Sequence, residues 1–205
     1  MATGFYHHKL WFSESDQQAL LKEIWDVLKK APLYTPTMPK SGKPFSVRET
    51  NCGTLGWVAD INGYRYQELH PETKEPWPAI PKTLLSMWQT LAPKSAEPEC
   101  CLINYYKQSA KMGLHQDKDE EDFTAPIVSV SLGQSAIFRI GGLSRRDKTS
   151  SLTLNSGDVI VMSDESRLFF HGIDRLIDQP TKLDPLIEES SGGRINLTMR
   201  RVHKS

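Results

Sequence analysis

The second half of the chain is a succession of short β-type runs with no helical stretch between them. From Glu99 onward, apolar or alternating segments are separated by turn residues. The segments predicted as strands are residues 101–106, 127–132, 136–140, 151–154, 158–162, 167–172 and 194–200. Strands that follow one another without helices do not build a parallel βαβ sheet, and they favour a sandwich or a jelly roll.

The first half of the chain contains helical patterns instead. Apolar residues recur at helical spacing at Leu20, Leu21, Ile24, Trp25 and Leu28. This spacing predicts an amphipathic helix from about Ser15 to Lys30, in which Ser15 and Gln18 resemble a capping box. A second helix is predicted from Pro81 to about Leu91, because proline suits the first helical turn. The expected fold class is therefore mainly β with flanking helices, that is, α+β.

Length and charge restrict the organisation and the partners. A chain of 205 residues fits a single domain. Its 25 Lys and Arg residues are balanced by 25 Asp and Glu residues, so the net charge is zero. Zero net charge argues against a protein that coats long duplexes through its charge, whereas a small or single-stranded nucleic-acid target remains open.

Apolar runs and cysteines indicate the compartment. No apolar run approaches the length of a membrane span, and the first nine residues lack the pattern of a secretory signal. The cysteines Cys52, Cys100 and Cys101 have no C-x-x-C spacing, so they suggest neither a disulfide framework nor a four-ligand zinc site. We therefore expect a cytoplasmic protein with no membrane partner.

A metal site is the strongest chemical hypothesis from the residues. On an extended segment His115 and Asp117, two positions apart, project to one face, and His171 lies on a predicted strand of the same core. Two histidines and one carboxylate form the facial triad of non-haem iron(II) oxygenases. Taken alone, an H-x-D tripeptide is more often a pair of surface polar residues, and His171 is equally compatible with a hydrogen-bonded core histidine.

The strand at residues 194–200 alternates with period two. Its polar face carries Arg194, Asn196, Thr198 and Arg200, and its apolar face carries Ile195, Leu197 and Met199. Two arginines directed into a jelly-roll interior need anionic partners, and a dicarboxylate would pair with both. Asn104 and Tyr106 share a strand face and add an amide and a phenol. The alternative is that this strand lies on the outer sheet with its arginines in water.

Several blocks of the sequence resemble, in order, those of the AlkB family of iron(II)- and 2-oxoglutarate-dependent nucleic-acid dealkylating dioxygenases. The blocks are CLINYY at 101–106, LHQDKDE at 114–120, APIVSVSLG at 125–133, SRLFFHGI at 166–173 and RINLTMR at 194–200. NCGTLGW at 51–57, GYRY at 63–66 and KEPWPA at 74–79 are similar to its bacterial members. Several blocks in register are far more specific than one motif. Residues 36–44 match weakly, and the segment 176–193 is longer than the family pattern.

The resemblance implies residues for the metal and the cosubstrates, iron(II), 2-oxoglutarate and O2. The implied iron ligands are His115, Asp117 and His171. The implied 2-oxoglutarate residues are Arg194 and Tyr106 at the distal carboxylate, and Arg200, Asn104 and Asn196 near the metal-bound end. A guanidinium matches a carboxylate in geometry and charge, in agreement with the two arginines.

The resemblance also implies a substrate and a reaction. Alkyl groups would be removed oxidatively from N-alkylated bases of DNA, such as 1-methyladenine and 3-methylcytosine, with release of formaldehyde, succinate and CO2. Trp57 would stack on the extruded base, with the imidazole of His115 on its other face. The further implied substrate contacts are Tyr64, Tyr66, Asp119 and Arg145.

The family's fold is a double-stranded β-helix, or jelly roll, which agrees with the strand pattern. We expect one domain, with N-terminal helices and a nucleotide-recognition lid in residues 1–92 and the catalytic core in residues 93–205, acting as a monomer on single- or double-stranded DNA. One alternative keeps the oxidation but takes RNA or protein as its target. The others are a non-catalytic metal-binding jelly roll and a nucleic-acid binding module.

Overall fold

The computed structural model describes residues 3–107, 109–178 and 192–204. The strands within these ranges are β1 Phe5–His8, β2 Val47–Gly53, β3 Gly56–Asp60, β4 Gly63–Gln67, β5 Cys100–Tyr106, β6 Met112–His115, β7 Ile127–Gly133, β8 Ala136–Ile140, β9 Ser150–Leu154, β10 Val159–Met162, β11 His171–Leu176 and β12 Arg194–Arg200. The helices are α1 Glu14–Lys30 and α2 Lys82–Leu91.

Two antiparallel sheets form the core. The larger sheet has the order β1-β10-β7-β12-β5-β2, and the smaller one has the order β6-β11-β8-β9. The expected α+β class is confirmed, and the two sheets are consistent with the expected jelly roll. β3 and β4 form a separate hairpin.

The larger sheet is buried on both faces. On its outer face the apolar side of β12, with Ile195, Leu197 and Met199, packs in one cluster with Leu20 and Ile24 of α1 and with residues of α2. A second cluster lies on the other face and joins Tyr106 of β5 with residues of β8 and β11. The apolar side chains of β12 point outward to the helices. Its polar side chains alternate with them and therefore point to the space between the two sheets.

The helices begin close to the predicted positions, but the predicted capping box of α1 is wrong. Ser13, not Ser15, is the N-cap, and its side chain accepts a hydrogen bond from the backbone N–H of Asp16. Asp16 in turn accepts from the backbone N–H of Ser13, which satisfies two helix-end donors at once. A short aspartate is able to replace the longer glutamate or glutamine of the usual pattern. Pro81 directly precedes α2 and occupies its N-cap.

The predicted strand at residues 167–172 is also wrong in its first part. Residues Asp164–Leu168 form a 3₁₀ turn, and β11 begins only at His171. From this turn the guanidinium of Arg167 donates inward to the carbonyl oxygens of Ala125 and Asp117. These contacts come from distant segments and have no signature in the local sequence.

The first 92 residues contribute directly to the core. β1 pairs with β10 and β2 pairs with β5, so these strands complete the two edges of the larger sheet. The division at residue 92 remains a prediction. The segment 176–193, whose length departs from the family pattern, lies mostly outside the described residues. Neither described helix is long and apolar enough to cross a membrane.

Candidate metal and cosubstrate site

Two histidines and one aspartate meet where β6 ends and β11 begins. His115 is the last residue of β6 and lies directly opposite His171, the first residue of β11. The ligand atoms of these histidines and of Asp117 all lie within 4.8 Å of one another. The two Nε2 atoms are 3.7 and 3.8 Å from the carboxylate oxygens of Asp117. The three residues predicted as a triad are therefore brought together.

Close contact between the two strands depends on a glycine. Gly172 directly follows His171, and a Cβ atom at this position would lie 2.5 Å from the carbonyl oxygen of Met112. No real Cβ contact is that short, so a larger residue would push β11 away from β6. Gly172 thus allows the approach that places His171 beside His115.

Hydrogen bonds orient both imidazoles toward the same point. Nδ1 of His115 is 3.0 Å from the carbonyl oxygen of Gly113, and Nδ1 of His171 is 3.0 Å from that of Phe169. A carbonyl oxygen only accepts, so each Nδ1 carries the proton and each Nε2 presents a lone pair. Burial lowers the pKa of His171 to about 4. This ring is therefore neutral at pH 7, as a metal ligand must be.

The carboxylate of Asp117 is held ionised by its surroundings. Burial raises the pKa of Asp117, but Arg200 and the two histidines outweigh it and hold the pKa below its ordinary value. Nη2 of Arg200 lies 2.9 Å from Oδ1 of Asp117. Two imidazoles and one carboxylate at this spacing fit a divalent iron ion with coordination positions left for other ligands.

The polar face of β12 faces the interior, so the alternative with its arginines in water is wrong. Arg194 and Arg200 are 1% and 5% exposed. Nη2 of Arg194 donates to the hydroxyl of Ser131 at 2.9 Å, and its guanidinium lies 5.3 Å from the ring centre of Tyr106. Asn196 donates to the hydroxyl of Ser129. The predicted cosubstrate residues thus lie on one wall.

Unsatisfied polar atoms on this wall match a dicarboxylate. Nε and Nη1 of Arg194 have no hydrogen-bond partner among the described residues. Burial also lowers the pKa of the Arg194 guanidinium from its ordinary value. A buried cation without an anionic partner is costly, and a carboxylate of 2-oxoglutarate would supply that partner. The residues present therefore fit the cosubstrate.

A buried hydrogen-bond network that the sequence did not reveal surrounds the loop that carries Asp117. Glu120 is 5% exposed and accepts hydrogen bonds from the hydroxyl of Tyr66 and from Nη2 of Arg167. Nη1 of Arg167 donates to the carbonyl oxygen of Asp117 at 2.8 Å, and Nη1 of Arg200 donates to Tyr66 at 3.2 Å. The loop that carries Asp117 is fixed at both its side chain and its backbone.

The residues predicted to contact the substrate lie in two places: on the hairpin β3–β4 with the loop that follows Asp117, and at Arg145 near the start of β11. We call these two places the rim of the site. The hairpin β3–β4, which we call the aromatic hairpin, stacks Trp57 on Tyr64 with 5.4 Å between ring centres and 17° between planes. Nε1 of Trp57 donates to Asp119 at 2.8 Å. Arg145 is exposed and lies over the ring of Phe170, next to His171 in sequence. Tyr66 points inward to Glu120 rather than outward with Tyr64.

Comparisons with known proteins agree with this geometry. The model of the 2OG-Fe(II) oxygenase superfamily matches residues 4–200. The chain is similar to the alpha-ketoglutarate-dependent dioxygenase AlkB homolog of Caulobacter vibrioides, with 46% identity over 92% of this chain and 83% of the relative. It is 44% identical to the alpha-ketoglutarate-dependent dioxygenase AlkB of Escherichia coli K12, over 94% of this chain and 88% of the relative. The solved structure of OsALKBH1 superposes with a TM-score of 0.77 at 29% identity, over 98% of this chain and 99% of that one.

Proposed function

This chain belongs to the AlkB family of iron(II)- and 2-oxoglutarate-dependent dioxygenases, and on that premise we propose that it removes alkyl groups oxidatively from N-alkylated bases of nucleic acid. DNA carrying 1-methyladenine or 3-methylcytosine is the proposed substrate, and direct reversal of alkylation damage is the proposed purpose. One observation carries the proposal most strongly. The His115, Asp117 and His171 triad and the buried guanidinium of Arg194, which has no anionic partner among the described residues, lie in the same interior. The indole of Trp57 reaches the same loop, since its Nε1 donates to Asp119, two residues from Asp117.

The proposed metal and cosubstrate roles follow from the contacts. His115 and His171 bind iron(II) through Nε2 and Asp117 binds it through its carboxylate. When bound, iron(II), 2-oxoglutarate and O2 supply the oxidation that places a hydroxyl group on the alkyl carbon next to the base nitrogen. Arg194 and Tyr106 hold the distal carboxylate of 2-oxoglutarate. Arg200, Asn104 and Asn196 lie at its other end.

The remaining chemistry needs little from the protein. A hydroxymethyl group on a ring nitrogen loses its O–H proton as the C–N bond breaks, so formaldehyde leaves and the electron pair returns to the base. The side chains therefore have to position the base and exclude water. Arg200 keeps Asp117 ionised and oriented throughout, because its Nη2 lies 2.9 Å from that carboxylate.

Positioning of the base is assigned to the rim. Trp57 stacks on one face of the extruded base and the imidazole of His115 lies on the other, since stacking on an aromatic ring is how such enzymes hold a flipped base. Tyr64 and Asp119 extend the contact, and Arg145 adds a basic contact to the substrate. Tyr66 contributes through Glu120.

RNA is the alternative substrate, because the buried core fixes the oxidation and only the rim selects the target. We further propose that the enzyme acts as a monomer in the cytoplasm on single- or double-stranded substrates. The deciding experiment incubates matched DNA and RNA oligonucleotides that carry single N-methylated bases with the enzyme, iron(II), ascorbate and 2-oxoglutarate. Mass spectrometry should detect the loss of one methyl group per site together with succinate. Succinate without any demethylated oligonucleotide would refute the proposed function while leaving the dioxygenase intact.

A further inference from the structure

The carboxyl group of Glu49 is buried between the sheets without a hydrogen-bond partner. Glu49 lies in the middle of β2 and is 1% exposed. Neither of its carboxylate oxygens is hydrogen-bonded within the described part of the chain. Such a group is costly because it loses its hydration and gains no protein partner. No role proposed so far uses it.

The strand register places Glu49 on the wall of the site. Glu49 lies opposite Asn104 of β5, and Asn104 lies opposite Asn196 of β12. Directly opposite residues of antiparallel strands project to the same face of the sheet. Asn196 shares its face of β12 with Arg194 and Arg200. Glu49 therefore belongs to the same inner face as the predicted cosubstrate residues.

The aromatic hairpin docks on the same edge of the sheet. Asn51 is two residues from Glu49 on β2 and projects to the same face. Its side chain exchanges two hydrogen bonds with the backbone of Trp57, with Nδ2 3.0 Å from the carbonyl oxygen and Oδ1 3.1 Å from the backbone nitrogen. Glu49 thus lies on the inner wall beside the hairpin that is proposed to stack on the base.

The groups that face Glu49 leave its charge uncompensated. Burial raises the pKa of Glu49 to about 8, although Arg200 acts in the opposite direction. Tyr34 lies opposite Glu49 in an antiparallel bridge, and Tyr106 shares a face of β5 with Asn104, so these two phenols face Glu49 as well. Glu49 adds to burial in raising the pKa of both phenols. Arg200 does not neutralise Glu49, because its Nη2 lies within hydrogen-bonding distance of Asp117 instead. The carboxyl group of the ligand-free protein is therefore mainly neutral at pH 7 and would ionise beside a cation.

The chemistry of the substrates decides which ligand Glu49 suits. 2-Oxoglutarate brings two negative charges and no hydrogen-bond donor, so an ionised Glu49 would repel it. Alkylation at N1 of adenine or N3 of cytosine leaves a positively charged ring, whereas alkylation at N1 of guanine or N3 of thymine leaves a neutral one. A carboxylate in a pocket of low dielectric constant attracts a cationic ring strongly and a neutral ring little.

We propose that Glu49 is a specificity-determining residue whose carboxyl group selects cationic alkylated bases over neutral ones. The inference rests on the proposed function, since it takes an alkylated base as the substrate. Glu49 acts as the counter-charge of the bound base, and no bond to it forms or breaks. The oxidation itself does not require it.

The test compares two pyrimidines that differ in charge. Wild type, Glu49→Gln and Glu49→Met are assayed on DNA oligonucleotides of one sequence that carry 3-methylcytosine or 3-methylthymine. Glutamine and methionine keep the shape of the side chain without its charge. We expect the ratio of kcat/KM for 3-methylcytosine to that for 3-methylthymine to fall at least tenfold in both variants. Glu97→Gln, which removes an exposed charge from the loop before β5, should leave the ratio unchanged.

Other results would overturn the inference. A ratio that stays within twofold of wild type in both variants would show that Glu49 does not discriminate by charge. Equal losses on both oligonucleotides, with a parallel loss of substrate-free succinate production, would make Glu49 a structural residue. If wild type demethylated neither oligonucleotide nor any other alkylated base, the proposed function would fail first and the role of Glu49 with it.

Discussion

The indole N–H of Trp57 donates a hydrogen bond to the carboxylate of Asp119, with 2.8 Å between Nε1 and Oδ2. This contact joins the aromatic hairpin to the loop that carries Asp117, a proposed metal ligand. Two residues that the sequence assigned separately to the substrate are therefore partners of each other. The ring of Trp57 is thereby set in place before a base arrives.

Trp57→Ala should lose base binding and keep the oxidation chemistry. Loss of one stacking contact costs about 1–3 kcal/mol, roughly 5- to 150-fold in kcat/KM for a methylated oligonucleotide. Substrate-free conversion of 2-oxoglutarate to succinate should stay near the wild-type rate. Trp57→Phe keeps an aromatic ring without the N–H donor, so its kcat/KM for the methylated oligonucleotide should lie between those of wild type and Trp57→Ala. Parallel loss of both activities and of thermal stability would make Trp57 a core residue instead.

Removal of any proposed iron ligand should abolish turnover, because a facial triad has no spare ligand. His115→Ala, Asp117→Ala and His171→Ala are expected to lose succinate production and bound iron(II), measured by metal analysis after anaerobic loading. His203→Ala, at an exposed histidine near the end of β12, serves as the control and should retain both. Product formed at wild-type rate by any of the three variants would refute the assignment.

Arg194→Ala should weaken 2-oxoglutarate binding. Removing one partner of a buried charge pair costs about 2–5 kcal/mol, so the KM for 2-oxoglutarate should rise roughly 30-fold or more. Arg175→Ala removes an exposed guanidinium from β11 and should leave this KM unchanged. An unchanged KM in Arg194→Ala would place the distal carboxylate elsewhere.

Tyr66→Phe distinguishes a structural role of Tyr66, through its hydrogen bonds to Glu120 and Arg200, from direct contact with the substrate. Its hydroxyl donates to Glu120 and accepts from Arg200. A hydrogen bond to a charged group contributes about 1.5–3 kcal/mol, so the variant should unfold at lower denaturant concentration even without substrate. A residue that only touches the substrate would leave the stability of the free protein unchanged, and chemical denaturation measures the difference.

Glu49 should make the ligand-free protein less stable at higher pH. Its pKa is raised by burial from the ordinary value of 4.5 to about 8, so the folded state holds a proton that the unfolded chain has lost. The stabilising contribution of the protonated group is complete below pH 4.5 and is lost as the pH rises through about 8. Glu49→Gln should therefore gain stability over wild type between these values, by up to about 1.4 kcal/mol per unit of pKa shift. A pH-independent difference in melting temperature would contradict this.

The sequence by itself predicted the β-rich second half of the chain, the candidate metal triad and the two faces of β12. Alternation with period two depends only on local backbone geometry, so Arg194 to Arg200 could be divided into a polar and an apolar face without coordinates. The spacing of His115 and Asp117 is equally local. His171 was placed on a predicted strand of the same core, but its position directly opposite His115 depends on the pairing of β11 with β6, two strands that lie far apart in the chain.

Tertiary structure alone decided what those faces meet. The inward turn of Arg167, the Tyr66–Glu120 contact and the Trp57–Asp119 bond each join segments more than 40 residues apart. In the sequence Glu49 is one charged residue among polar neighbours, and nothing in this pattern indicates that it is buried. Its burial opposite Asn104 follows from how β2 registers against β5, and strand register is set by the packing of whole sheets rather than by the residues of one strand.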